Sequence, residues 1–303
     1  MYFDAHCDTL TKAYDNKLDL FDEKLHINIP KLLQNGKPTQ VFAVFNEGNY
    51  SFADLLKLCE FLKENISISN EIEMAYSTSG IIKNREKGMA SAMLSVEGLG
   101  NTKDISPDMI DDLYDAGVRM ISLTWNQDNC LCGGIGENNL GITSLGYDVI
   151  ERMKAKNIVL DLSHISDRGF YDAMEIDGVK MVASHSNSRA LCPHTRNLTD
   201  DMFKRLVKKG GVCGINFYPL FLTHSEKATV DDAVKHILHF LDLGGEKNIG
   251  IGTDFDGIEY TMQDITSCDK MYMLVDALIS KNIHNNVLNN ILYGNFERIF
   301  EIS

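Results

Sequence analysis

Phe3-Asp4-Ala5-His6-Cys7-Asp8 is a short apolar strand that runs straight into a histidine and an aspartate two residues apart. In a strand, side chains at i and i+2 share a face. An imidazole nitrogen and a carboxylate oxygen are thus aimed together from the strand's end, a two-ligand arm for a borderline metal such as zinc. Glu97, His164, His185 and Asp254 also stand at the ends of strand-like runs further along. A fold is implied whose strands deliver their chemistry at one rim.

The rest of the chain repeats that opening as a pattern, without any sequence repeat. A short β-branched or apolar run is followed by polar residues and then a helical stretch. Eight strands are predicted, at Tyr2–His6, Gln40–Phe45, Ala90–Val96, Val118–Leu123, Ile158–Leu162, Met181–Ser184, Gly211–Asn216 and Ile249–Gly252. Helices are predicted at Phe52–Asn65, Asp108–Ala116, Thr143–Lys156, Ser166–Glu175, Thr199–Lys209, Thr229–Leu243, Asp269–Lys281 and Asn285–Phe300, the last interrupted near Gly294. Eight such alternations in 303 residues predict one (β/α)8 barrel of the TIM type over residues 1–303. A doubly wound open sheet is the competing α/β fold, and its dinucleotide version is weakened because no GxGxxG follows the first strand.

Composition narrows the partners. Hydrophobic content is 44%, charged content 24% and net charge −14. So acidic a surface argues against nucleic-acid or anionic-membrane partners. Seven scattered cysteines without a CxxC pair read as reduced thiols. No basic-then-apolar leader, no lipid-anchor tail and no apolar run near the ~20 residues of a bilayer span make a cytoplasmic location the expectation.

In a barrel, functional side chains gather where the strands end. His6 and Asp8 end the first strand, Glu97 the third, His164 the fifth, His185 the sixth and Asp254 the eighth. Three histidines and two carboxylates exceed what a single tetrahedral zinc takes from protein. The count suits two metals sharing one carboxylate, with a water between them acidified to ~7 or below, and Asp254 left to move the proton. Three neighbouring residues have structural alternatives. Asp4 can hydrogen-bond within the barrel, Asp161 can orient a second group or a turn, and Cys7 should face away from the site. His236 and His239, three apart on one helix, read as amphipathic-face residues.

At these positions the chain resembles the renal (membrane) dipeptidase family of the amidohydrolase superfamily, over nearly its whole length. The motifs that carry the resemblance are Asp4-Ala5-His6-Cys7-Asp8, Ser95-Val96-Glu97-Gly98, Leu160-Asp161-Leu162-Ser163-His164-Ile165-Ser166, Ser184-His185-Ser186, Thr195-Arg196-Asn197 and Gly252-Thr253-Asp254-Phe255-Asp256-Gly257. The resemblance implies a (β/α)8 barrel that hydrolyses dipeptides with two Zn2+ per chain through a metal-bridging hydroxide. His6 and Asp8 would bind one zinc, Glu97 would bridge, and His164 and His185 would bind the other. Arg196 would hold the substrate carboxylate and Asp254 would shuttle the proton, with Asp256 the weaker candidate. A homodimer is also implied.

The sequence departs from the family at the fourth strand. Animal members carry a histidine there that contacts the substrate, whereas this chain reads Leu123-Thr124-Trp125-Asn126. Trp125 and Asn126 are therefore candidate substrate-binding residues, and Asn126 or the zinc itself is left to stabilise the oxyanion. The rival reading is another binuclear-metal amidohydrolase, such as a lactonase, phosphotriesterase or deaminase. Those usually open with His-x-His, and many bridge with a carboxylated lysine. Here His-x-Asp opens the chain and strands three and four end in Glu97 and Thr124. A non-enzymatic barrel is the third reading, and loss of a ligand would be its sign.

Overall fold

The computed structural model describes residues 1–136 and 138–301. Nine parallel strands form its sheet: β1 Phe3–Asp4, β2 Thr39–Phe45, β3 Ile72–Met74, β4 Ala90–Glu97, β5 Val118–Ser122, β6 Val159–Asp161, β7 Met181–Ala183, β8 Val212–Ile215 and β9 Ile249–Ile251. The pairings run β1–β2–β4–β5–β6–β7–β8–β9 and return to β1. That is a closed eight-stranded barrel of the predicted type. The eight strands of the barrel are those expected from the sequence, with ends differing by at most two residues.

β3 is the strand that sequence patterning did not show. It pairs with Ala90–Ala92, on the edge of β4 that β5 takes over from Leu94 onward. Three residues of Ile-Glu-Met carry no readable alternation. Helices at Thr9–Asp15, Ile29–Leu33, Thr78–Glu86 and Pro219–Thr223 are likewise additional to those expected. The expected helices are present, and several are capped as the sequence suggests, although the Ser106–Pro107 start expected for the helix Met109–Asp115 provides no side-chain cap. Thr143 Oγ1 accepts from Gly146 N–H (3.0 Å), and Ser51 with Asp54 forms a capping box at the head of Phe52–Ser67.

Inside the barrel, Phe3, Ala5, Val41, Met93, Met120, Val159, Val182 and Val212 form a closed apolar core. Phe296 and Phe300 stack on Phe3 at 5.3 and 5.7 Å and stopper its lower end. The final helical stretch is interrupted as expected, by a wide turn at Asn290–Gly294. A second, larger core lies between the sheet and the surrounding helices. The rim at the strands' C-terminal ends is left for polar side chains.

The first strand does not reach that rim as a regular strand. Backbone N–H groups of Thr39 and Ala43, four residues apart on β2, donate to the carbonyls of Tyr2 and Cys7, five apart. One extra residue is therefore inserted after Asp4, as in a β-bulge. Asp4 staples it by accepting from His6 N–H (3.3 Å) and from the Thr253 hydroxyl (2.6 Å) and N–H (2.9 Å). The bulge changes the side-chain phase. Phe3 and Ala5 face the inner core, yet His6 and Asp8 also turn inward, above it. Cys7 turns out to the wall, where its thiol donates to Val41 O.

Candidate active site

Five strand ends deliver His6, Glu97, His164, His185 and Asp254 to one spot above the inner core, and Asp8 joins them from the residue before the first helix. Glu97 is the centre. Its Oε2 lies 3.1 Å from His6 Nε2, and its Oε1 lies 2.7 Å from His164 Nε2 and 3.8 Å from His185 Nε2. His6 Nε2 is also 3.7 Å from Asp8 Oδ1 and 3.8 Å from Asp254 Oδ1. The rings of His6 and His185 stack at 3.8 Å.

Neighbouring groups set the tautomers. His164 Nδ1 donates to Asn126 Oδ1 (2.8 Å). His185 Nδ1 donates to Ser184 Oγ (2.7 Å), whose own proton goes to Asp161 Oδ2. Both Nε2 atoms then carry lone pairs, and they face each other at 3.0 Å beside a carboxylate oxygen. Lone pairs converging in this way repel unless a cation lies between them. His6 Nε2, Asp8 Oδ1 and Glu97 Oε2 are moreover buried without a hydrogen-bond partner among the described residues, an arrangement that is costly in a protein interior. The donor set of imidazole nitrogen and carboxylate oxygen suits zinc. Two groups of ligand atoms, His6–Asp8–Glu97 and Glu97–His164–His185, each lie close enough to hold one ion, and Glu97 belongs to both.

A third such group, His6–Asp161–His185, is the weaker candidate. Asp161 Oδ1 already accepts from Ser163 N–H (3.0 Å) and Ser184 N–H (2.8 Å), and Oδ2 from the Ser184 hydroxyl. It orients His185 through Ser184. Asp256 is similarly occupied, by Thr9, Lys12, and the backbone of His26 and Ile27.

The electrostatics reflect a surplus of negative charge. Burial drives Asp254 up to about 7, opposed by His6 and reinforced by Asp8 and Glu97. Asp8 rises to about 6 from burial and the Glu97 charge. Burial opposes ionisation of Glu97 too, but His6 and His164 hold it well below the usual carboxylate range. Burial and the Arg196 charge lower His164 to about 4. A divalent cation here relieves the repulsion among the three carboxylates.

Backbone strain marks two of these residues. His164 and Asp254 sit at φ 66° and 62°, the left-handed region that residues with a Cβ seldom adopt. Gly257 shows how tight the rim is, since a Cβ there would stand 2.0 Å from Asp8 Oδ2 and 2.7 Å from Asp254 Oδ1.

The cluster opens on a cavity of about 610 Å³, within the range of small-ligand sites. Arg196 lines it with its guanidinium buried. Nη1 and Nη2 donate to Ser186 Oγ (3.4 Å) and His185 O (3.2 Å), and Nε has no partner among the described residues. Trp125 packs edge-on to Phe45 at 5.3 Å and faces the His164 ring at 6.3 Å. Asn126 lines the same cavity, yet its carbonyl oxygen is taken by His164. From the Asn129–Asn139 stretch Ile135 reaches the lining, and its N–H donates to His164 O (3.0 Å); Glu137 lies outside the described residues. Sequence reasoning passed over Asn216, which donates to Asp254 Oδ2 (2.9 Å), and the aromatic lining residues Tyr218 and Phe221. Position alone could have pointed to Asn216, which follows β8 as the other site residues follow their strands.

Comparison with known proteins places the chain in a family. The sequence profile described as membrane dipeptidase (peptidase family M19) matches residues 1–303. An uncharacterised dipeptidase of Schizosaccharomyces pombe is 30% identical, with 94% of this chain and 76% of that protein aligned. Dipeptidase tcpJ of Claviceps purpurea is 26% identical over 90% of this chain and 68% of its own length. Among solved structures, the metallo peptidase of Rhodobacter sphaeroides liganded with a phosphinate mimic of L-Ala-D-Ala superposes with a TM-score of 0.88 at 20% identity, covering 99% of this chain and 98% of that one. Dipeptidase AC does so with a TM-score of 0.89 at 22% identity, covering 99% and 97%. With its profile match running from first residue to last, the chain belongs to the membrane dipeptidase family, peptidase family M19, and is a metallo-dipeptidase.

Proposed function

We propose that the protein hydrolyses the peptide bond of free dipeptides at a two-zinc centre. The observation that carries this reading is Glu97, whose two oxygens face different histidine groups: Oε2 faces His6 and Oε1 faces His164 and His185. A carboxylate so placed would be shared by two ions. His6 and Asp8 complete one ligand set, and His164 and His185 the other. Bound zinc supplies Lewis acidity for the scissile carbonyl and a water acidified to ~7.

This chain's residues do the rest. Arg196 offers a buried guanidinium with an unpartnered Nε, suited to the planar carboxylate at a dipeptide's C-terminus. Asp254 takes a proton from the attacking water and returns it to the leaving amine. Asn126 and the Asp161–Ser184 pair fix the rings of His164 and His185. Trp125 and Phe45 make an aromatic wall that limits the substrate's side chains.

A library of L-L and L-D dipeptides, assayed while bound metal is quantified in the same sample, tests the reading. Expected are about two zinc ions per chain, cleavage lost on chelation and regained with zinc. Undiminished cleavage by metal-free protein would sink it.

A further inference from the structure

Asp254 accepts a hydrogen bond from a residue outside the candidate ligand set. Asn216 follows β8 and is completely buried. Its Oδ1 accepts from Tyr218 N–H at 2.6 Å. A backbone N–H can only donate, so this contact settles which end of the amide is oxygen. Nδ2 must then face Asp254, and it donates to Oδ2 at 2.9 Å. The backbone of Asn216 is clamped in turn by Asn187, which accepts from its N–H (3.1 Å) and donates to its carbonyl (2.9 Å).

The two oxygens of Asp254 are thereby made unequal. Oδ2 is filled by an amide donor. Oδ1 is the oxygen near His6 Nε2, at 3.8 Å, and against the Gly257 backbone. The main chain at Asp254 is fixed as well, by its N–H donating to His6 O (3.1 Å) and by its left-handed φ of 62°.

We infer that Asn216 is a positioning residue for proton transfer, which by donating to Oδ2 confines the proton carried by Asp254 to Oδ1. This rests on the reading of Asp254 as the proton carrier. As the water oxygen bonds to the carbonyl carbon, an O–H bond breaks and Oδ1–H forms. Oδ1–H then breaks as N–H forms on the leaving amine, which departs with the electron pair of the C–N bond. One oxygen serves both transfers, so the carboxylate need not rotate. Without Asn216 the carboxyl group can turn about Cβ–Cγ and carry its proton on the oxygen that points away from the substrate.

Asn216→Asp and Asn216→Ala test this in the wild-type and Asp254→Asn backgrounds, with kcat, KM, bound metal and melting temperature all measured. Asn216→Asp keeps size and the acceptor for Tyr218 N–H and has no donor when ionised, so it keeps the test open if the alanine variant fails to fold, while Asn216→Ala removes the donor without adding a charge beside Asp254. In the wild-type background kcat is expected to fall about 10- to 100-fold, part of the 10²–10⁴ that a positioned acid–base group supplies, with KM within about twofold and metal unchanged. In the Asp254→Asn background the same substitutions should have no further effect on the residual rate. Equal losses in both backgrounds, loss of metal, or an unchanged kcat in Asn216→Asp would each overturn the inference. Wild-type turnover by Asp254→Asn alone would instead remove the reading it rests on.

Discussion

Glu97 and Arg196 do different work, and single substitutions should separate them. Glu97→Ala removes the carboxylate shared by both ligand groups. Bound zinc should fall from about two ions per chain to fewer than one, as measured by elemental analysis, with turnover lost alongside. Arg196→Ala should leave metal content intact and raise KM for free dipeptides about 10- to 100-fold, in line with the roughly 1.5–3 kcal/mol of a lost charged hydrogen bond. Dipeptide amides, which have no terminal carboxylate, should show no such change. A KM rise of equal size for the amides would mean that Arg196 shapes the pocket without binding the carboxylate. At this scale the sequence was most informative about residue type and place. His6, Glu97, His164, His185 and Asp254 were recognisable because each follows a strand. The bulge after Asp4 was not, since it arises from mismatched hydrogen bonding to β2 and leaves no mark on the apolar pattern. The same holds for the left-handed backbone of His164 and Asp254.

Among the elements, the helix Val230–Asp242 does more than cover the sheet. Its sequence suggested that His236 and His239 simply share an amphipathic face. His239 Nε2 does reach outward, to Asp200 (2.8 Å). His236 is buried and joins two segments of the rim: its Nδ1 accepts from Ser188 N–H (3.0 Å) and its Nε2 donates to Leu222 O (3.1 Å). Ser188 opens the segment that leads to Arg196. Burial lowers the His236 pKa below its ordinary value. The folded state thus binds this proton less readily than the unfolded chain. The stabilisation is complete above the unfolded value of about 6.5 and is lost as pH falls through the folded one. His236→Gln should cost about 1–2 kcal/mol at pH 7, through the unpaired Ser188 N–H. Its melting temperature should fall less than the wild type's between pH 7 and 5. Both proteins share the acid-labile metal ligands, so the difference between the two slopes reports His236, and parallel slopes would contradict the assignment. The eight barrel strands were legible because each lies in a short, buried, mostly apolar run bounded by polar residues, which Ile72–Met74 does not. Thr78–Glu86 was not, because its charged residues and exposed Ile82 give no clear apolar stripe.

Across the whole molecule, the barrel and the metal centre are largely separate sources of stability. The two apolar cores are complete without any ion, whereas the polar rim has converging lone pairs and orphaned donors and acceptors. Removing metal should therefore leave far-UV circular dichroism nearly unchanged while lowering the melting temperature. Free zinc at 100 times its Kd stabilises by about 2.7 kcal/mol per site, so a shift of about 5 °C or more is expected. Collapse of the secondary structure on chelation would show that the rim holds the barrel together. The fold class was legible from eight alternations of strand and helix. How the barrel closes was not, because that depends on pairing between the two ends of the chain.

That closure also bears on how the protein is made. β1 is sealed on one side by β9, and Asp4 is pinned by Thr253, 249 residues later in the chain. The arm bearing His6 and Asp8 thus leaves the ribosome before the rest of the barrel, pairs early with β2, and acquires its β9 neighbour only when the last strand emerges. Until residues near 250 emerge, β1 has a bare edge and Asp4 lacks its hydroxyl partner. Contacts of such long sequence separation slow folding, and unpaired strand edges invite association with other chains. A nascent chain stalled before β9 should stay protease-sensitive around β1 and hold no zinc at His6, even with β2 and β4 already paired.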